Sequence, residues 1–147
     1  MVTKLFVLQK LSRPRFPSPR YVLWGELMSL RAQKCGAAGA VVDGYLRDTQ
    51  GILDLQFPTF SYGSYAQDQA PRGKVIDFRV PIEMDRVQIR PGDIVFGDTD
   101  GVCIIPQTSA EEVFARALEK ARGEKTVRKA IEEGMSATEA FKPYGIM

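Results

Sequence analysis

Apolar positions recur along this chain with two periods, and the switches between them predict its elements. Leu23, Leu27, Leu30 and Ala37 fall on one face at helical spacing while Arg31, Gln33 and Lys34 lie off it. With Gly36 as a natural C-terminal cap, that spacing predicts a helix over about residues 26–35. Val41-Val42, between small residues and Asp43-Gly44, predicts a short buried strand and a turn. Ile52 to Leu55 reads as a brief helix, Pro58 to Tyr62 as a strand, and residues 63–74, rich in Gly, Ser, Gln and Pro, as a loop. Strands follow over Val75–Ile82 and Val87–Ile89 with a turn near Met84-Asp85-Arg86, then over Ile94–Gly97 and Val102–Pro106. An N-cap pattern at Thr108-Ser109-Ala110-Glu111 opens a long helix to about Glu133, interrupted or bent around Gly123. Ser136-Ala137-Thr138-Glu139 can cap a last short helix that ends near Pro143. Strands in the middle and helices at both ends make a mixed α/β domain with one sheet layer or two, and no internal repeat is visible.

Composition narrows the chemistry. The chain has 147 residues, no histidine and two cysteines. A Ser-His-Asp triad, a Cys-His pair and any His-ligated metal site within the chain are therefore excluded. Acid, base and metal work falls to carboxylates, Lys, Arg, Tyr and the backbone. Cys35 and Cys103 form no CxxC, which removes a thioredoxin-like motif and a zinc ribbon, and sparse cysteine suits a reducing, cytoplasmic setting. The apolar stretches are too short for a membrane helix.

The net charge of +2 is unevenly spread. Residues 1–25 carry five basic side chains and no acid, whereas residues 26–147 carry fifteen basic against eighteen acidic. The run Arg13-Pro14-Arg15-Phe16-Pro17-Ser18-Pro19-Arg20 forbids a helix and favours an extended strap. An organelle transit peptide, a basic arm for acidic partners and a leader of no special function are three readings of residues 1–20; the last is preferred, which leaves residues 21–147 as the domain. Without aromatic interleaving or a recognition helix, no direct nucleic-acid contact is expected.

The candidate chemistry gathers in Gly44-Tyr45-Leu46-Arg47-Asp48, where a strand ends in a turn presenting a guanidinium beside a carboxylate. Neighbouring side chains on a regular strand face opposite ways, so both serve one site only if the turn redirects one. The alternative is a surface ion pair. Glu26 follows Gly25 at the start of the first predicted helix, where the amides of Leu27 and Met28 are among its unpaired donors and can hold a carboxylate or phosphate. The plain reading of Glu26 is a first-turn acid complementing the helix dipole. Asp98-Thr99-Asp100-Gly101 starts like a calcium loop but lacks its closing Glu, and an Asp-Gly hairpin explains it better. Gly36-x-x-Gly39 is too short for a dinucleotide fingerprint. Trp24 reads as a core or subunit-interface anchor, and Cys35 as buried.

The stretches Leu23-Trp24-Gly25-Glu26-Leu27-Met28, Gly36 through Gly44 and Arg47-Asp48 resemble the RraA-like family. It includes class II 4-hydroxy-4-methyl-2-oxoglutarate (HMG) aldolases and regulators of ribonuclease E activity. The family's aldolase signature is an acid, twenty residues, then Arg-Asp, which Glu26 and Arg47-Asp48 meet with Glu where Asp is usual. The resemblance continues through Phe57-Pro58-Thr59-Phe60, Arg90-Pro91-Gly92-Asp93 and Gly97 to Val102, and covers residues 21–147. Two features depart from it. The signature's further acid is Gly51 here, and the chain reads as a family domain lacking its usual N-terminal portion, with an open sheet edge and an incomplete site expected.

The resemblance implies a layered α/β/β/α sandwich of swivelling-domain-like type with a mixed sheet. It implies Mg²⁺ or Mn²⁺ ligated by Asp48, the metal's waters ordered by Glu26, and an enolate stabilised by Arg47. The amides of Leu27 and Met28, with Arg47, would bind a small 2-oxo acid. Glu124, in Arg122-Gly123-Glu124-Lys125, is the candidate base contributed by a neighbouring subunit. The implied activity is retro-aldol cleavage or oxaloacetate-type decarboxylation in a trimer or hexamer. A non-catalytic regulator of ribonuclease activity and a sugar-acid dehydratase are the alternatives.

Overall fold

The structure, a computed structural model, describes residues 5–8, 21–70, 73, 75 and 77–144. The proline strap Arg13–Arg20 lies outside the described residues. The chain divides into two units, Met1–Ile104 and Ile105–Met147.

The first unit is built on parallel strands. β1 (Leu5–Leu8), β3 (Gly39–Val42) and β5 (Thr59–Phe60) form one sheet in the order β1-β3-β5. β3 is central, and all four of its residues are buried, as its continuous run of small and β-branched residues requires of a strand covered on both faces. β1 runs parallel to it, Leu5 opposite Gly39 and Leu8 opposite Val42. The apolar Leu-Phe-Val-Leu run, within the segment expected to be a leader, thus lies in a sheet. A second pair, β2 (Val22–Trp24) and β4 (Tyr45–Leu46), is also parallel.

Helix α1 (Glu26–Lys34) joins β2 to β3, and α2 (Thr49–Asp54) joins β4 to β5. α1 closes as the sequence predicts. Gly36 takes φ +84°, its amide donates to the Gln33 carbonyl, and the Ala37 amide donates to Ala32, which is a Schellman ending. Trp24, Ala32, Ala40, Leu46, Ile52 and Phe57 pack together beneath these elements. Within that core Trp24 Nε1 donates to Ser29 Oγ at 2.6 Å, and Ser29 Oγ donates to the Gly25 carbonyl at 3.2 Å. Ser29 is completely buried and Trp24 nearly so, which makes Trp24 a core anchor.

Two expectations are corrected here. Cys35, expected to be buried, caps the end of α1 and is exposed, because the small residues beside it belong to the turn after the helix. No strand runs from Asp77 to Pro81; residues 78–80 bend, Arg79 holding φ +59°, and Ile76 lies outside the described residues. Pro81 has no N–H for a ladder, so β6 (Ile82–Met84) begins just after it. β6 pairs antiparallel with β7 (Val87–Ile89) across Asp85-Arg86, both at positive φ as a two-residue hairpin of this hand demands. β8 (Ile94–Asp98) and β9 (Gly101–Ile105) form a further two-stranded sheet around the expected Asp-Gly turn, in which the Asp100 amide donates to Asp98 Oδ1 at 2.8 Å.

The second unit is helical. A short 3₁₀ turn (Gln107–Ser109) leads into α3 (Ala110–Glu132), which is not interrupted at Gly123. One glycine costs a helix only about 1 kcal/mol, and Glu112–Arg116, Lys120–Glu124, Arg128–Glu132 and Lys129–Glu133 each pair one turn apart along it. α4 (Ala137–Tyr144) opens with a reciprocal capping box. Ser136 Oγ and its amide donate to Glu139 Oε2, and the Glu139 amide donates to Ser136 Oγ. These bonds hold the Glu139 carboxyl below its ordinary value. Among the described residues no helix is long and apolar enough to cross a membrane.

Ser29→Ala leaves the indole N–H of Trp24 buried without a partner, and should cost about 1–3 kcal/mol in urea unfolding. Trp24 is the chain's single tryptophan, so its fluorescence reports the transition directly. Unchanged stability would show that the Trp24–Ser29 bond does not hold α1 to β2.

Candidate functional site

The turn after β4 decides whether Arg47 and Asp48 can act together. Leu46 is the last strand residue, and the Arg47 amide donates to the Trp24 carbonyl at 3.0 Å, which ties the strand's end to β2 just before α1. Asp48 then takes a left-handed backbone, φ 56° and ψ 40°. That conformation is uncommon outside glycine, and Asp is one of the few residues that tolerates it. It starts α2 and breaks the strand alternation, so that both side chains come to one spot: Arg47 Nε lies 3.8 Å from Asp48 Oδ2.

That spot is the N-terminus of α1. A Cβ placed on Gly25 would meet Asp48 Oδ2 at 3.0 Å and Arg47 Cγ at 3.6 Å. The missing side chain is what lets the carboxylate approach the helix end. Gly25 brings no side-chain cap, and Ser29 is the first residue of α1 whose amide reaches a carbonyl of the helix, that of Gly25. The amides of Leu27 and Met28 therefore have no acceptor within the helix. Both residues are exposed, at 78% and 42%.

Glu26 occupies the place vacated at position 51. A Cβ on Gly51 would fall 2.5 Å from Glu26 Oε2 and 2.7 Å from Glu26 Cγ. The departure from the signature therefore comes with an exchange. The side chain at position 51 is absent, and the Glu26 carboxylate lies over that residue in the first turn of α2.

Arg47 has a second carboxylate partner that sequence reasoning missed. Its Nη1 lies 2.7 Å from Asp68 Oδ2. The Ala70 amide, donating to Asp68 Oδ1 at 3.1 Å, and after it the charge and hydrogen bond of Arg47, hold the Asp68 carboxyl below the usual carboxylate range against a desolvation penalty. With its pKa lowered, Asp68 stays ionised at neutral pH, and the pair weakens only as pH falls through that lowered value. A signal was present, since Asp68 is the single charged residue between Asp54 and Arg72, but no local spacing rule joins it to Arg47.

Glu124 belongs to the second unit, where it faces Lys120 on α3 with Oε1 3.7 Å from Nζ. Among the described residues no three of His, Cys, Asp and Glu cluster as metal ligands. Asp48, against the end of α1, and Glu26, over α2, carry only oxygen donors. A hard cation such as Mg²⁺ suits that set, because it typically takes one or two carboxylates and completes its shell with water and substrate oxygens.

Comparison with known proteins places the chain in a family. A family model named RraA-like, described as Aldolase/RraA, matches residues 16–104. A Halalkalibacterium halodurans protein named "Putative 4-hydroxy-4-methyl-2-oxoglutarate aldolase" is 35% identical over 117 residues, covering 80% of this chain and 55% of its own. A crystal structure of an uncharacterized protein from Pseudomonas syringae superposes with a TM-score of 0.77 at 32% identity, over 82% of this chain and 60% of that one. Streptomyces coelicolor RraAS2, titled an unusual member of the RNase ES inhibitor RraA protein family, superposes with a TM-score of 0.69 at 26% identity, over 85% and 61%. The chain thus spans about half the length of the curated relative.

Gly51→Ala should displace the Glu26 carboxylate without unfolding the chain. The colliding atoms are the end of a flexible side chain, and alanine favours the helix by up to about 1 kcal/mol. Unchanged or higher urea stability together with weaker Mn²⁺ binding, followed by electron paramagnetic resonance, is the expected result. A loss of stability would make the seat of Glu26 structural instead.

Proposed function

Because this chain belongs to the RraA-like family, we propose that the site around Gly25 is that of a divalent-metal-dependent lyase. It cleaves a 2-oxo or hydroxy acid, of HMG or oxaloacetate type, through a pyruvate enolate. The observation that carries this reading is the left-handed turn at Asp48, which sets a carboxylate and a guanidinium against the N-terminal end of α1.

Each residue then has a task. The Leu27 and Met28 amides take the substrate carboxylate at the positive end of the helix dipole. Asp48 would hold the cation, with Glu26 ordering its waters. When bound, that cation supplies Lewis-acid polarisation to the substrate's keto group. Arg47 offers a fixed cationic donor where negative charge develops on the enolate oxygen. In the retro-aldol direction the hydroxyl proton leaves as the C–C bond breaks, the bond's electron pair passes into the enolate, and protonation at carbon gives pyruvate. Glu124 of a second copy is the acid we assign to that proton traffic. Its exposure and place on α3 suit contribution across a subunit boundary, in an assembly we propose to be a trimer or hexamer.

A second reading, a regulator that binds a ribonuclease without catalysis, draws on the similarity to RraAS2. The acid at position 26 and Arg47-Asp48 in signature spacing favour the enzyme.

A coupled assay of pyruvate release, with HMG or oxaloacetate and added Mg²⁺ or Mn²⁺, separates the two. Asp48→Ala should abolish the metal-dependent rate, and Arg47→Ala should lower kcat by about 10²- to 10³-fold, as loss of one oxyanion donor does. Pyruvate release that survives Asp48→Ala would sink the metal role, and absence of release from the wild type would leave the regulator reading in place.

A further inference from the structure

Arg47 is half exposed: its stem lies against the protein and its guanidinium reaches towards water, where a charged partner sets its orientation. What restrains it comes from residues 63–68, which run along β4 and β2. The Leu46 amide donates to Gly63, the Tyr65 amide to Leu46, and the Val22 amide to Gln67, all at 2.9–3.0 Å. Thr49 Oγ1 and Ser64 Oγ are hydrogen-bonded at 2.7 Å, and Asp68 bridges to Val22 in parallel register. The segment is therefore strapped to both strands that flank the site, and Asp68 lies at its end.

We propose that Asp68 is a positioning residue that orients the Arg47 guanidinium and keeps it off Asp48. The role of Arg47 is taken from the proposed lyase function. The two oxygens of Asp68 have separate tasks: Oδ1 accepts the Ala70 amide, which fixes the carboxylate in its own turn, and Oδ2 faces Arg47 Nη1 at 2.7 Å. One of the guanidinium's five N–H donors is thus engaged from the side, and the others remain for substrate. The competing partner is Asp48, now 3.8 Å from Nε. Without Asp68 the guanidinium is free to close on Asp48, which both misdirects the cation of Arg47 and neutralises the carboxylate assigned to the metal.

The test is a double-mutant cycle on the full chain, with Asp68→Ala and Arg47→Ala singly and together, and Asp68→Asn as the variant that retains the Ala70 bond. Folding is checked by Trp24 fluorescence. Asp68→Ala should lower kcat by about 10²-fold, the scale of a small misplacement, with KM changed less, and should weaken Mn²⁺ binding. In the Arg47→Ala background both effects should vanish. Equal losses in both backgrounds, or full activity and Mn²⁺ affinity in Asp68→Ala, would overturn the proposal. If Asp68→Ala does not fold, Asp68→Asn decides by the same outcomes. If the wild type releases no pyruvate, the lyase reading fails separately, and the Arg47 Nε–H resonance decides. Its shift on Asp68→Asn supports the restraint, and an unmoved resonance overturns it.

Discussion

Asp48 holds a left-handed backbone between the end of β4 and the first turn of α2, and the rest of the site depends on that turn. On a regular strand Arg47 and Asp48 would point to opposite faces. The turn costs on the order of 1 kcal/mol at a residue with a Cβ, and persists because its neighbours fix it on both sides. The Arg47 amide is bonded to Trp24, and the Asp48 carbonyl accepts the Ile52 amide at 3.1 Å as α2 begins. Ile52 in turn is buried in the core. Backbone strain is thus balanced by core packing a few residues away.

The same logic explains why glycines line the site. Gly25 lets the Asp48 carboxylate reach the end of α1, and Gly51 leaves room for Glu26 over α2. Behind them, the buried Trp24–Ser29 bond sets where α1 starts relative to β2. The donors that face the site are therefore backbone groups and short spans of chain anchored to the parallel strands. The side chains with the greatest freedom, Arg47 above all, need a restraint from outside those strands, and Asp68 is placed to give it.

Much of this was legible in the sequence because it depends on local pattern. The Gly36 ending of the helix over 26–35 follows from one glycine and α4 from its capping box, whereas the apolar residues whose spacing predicted that helix are not its buried face: Leu27 and Leu30 are exposed, and Ser29 and Ala32 are buried. The candidate residues Glu26, Arg47 and Asp48 came from a signature of fixed spacing, and the structure brings all three to the junction of α1 and α2. What was not legible depended on long-range choices. The strand expected over 75–82 had the right residue types but is broken by a bend and Pro81. Gly123 looked like a helix breaker, yet ion pairs along α3 and its length outweigh one glycine. Asp68 meets Arg47 only because a loop lies along β4, and no spacing in the sequence encodes that approach.

On the proposed reading, the Asp48 turn makes one binding site from Arg47 and the amides of α1. The most direct measurement is a nuclear magnetic resonance titration of the full chain with oxalate, a planar dicarboxylate that resembles the pyruvate enolate, in the presence of Mg²⁺. Shifts centred on the Leu27 and Met28 amides and the Arg47 side chain, lost in Asp48→Ala, are the expected result. Shifts centred elsewhere, or unchanged by that substitution, would contradict it.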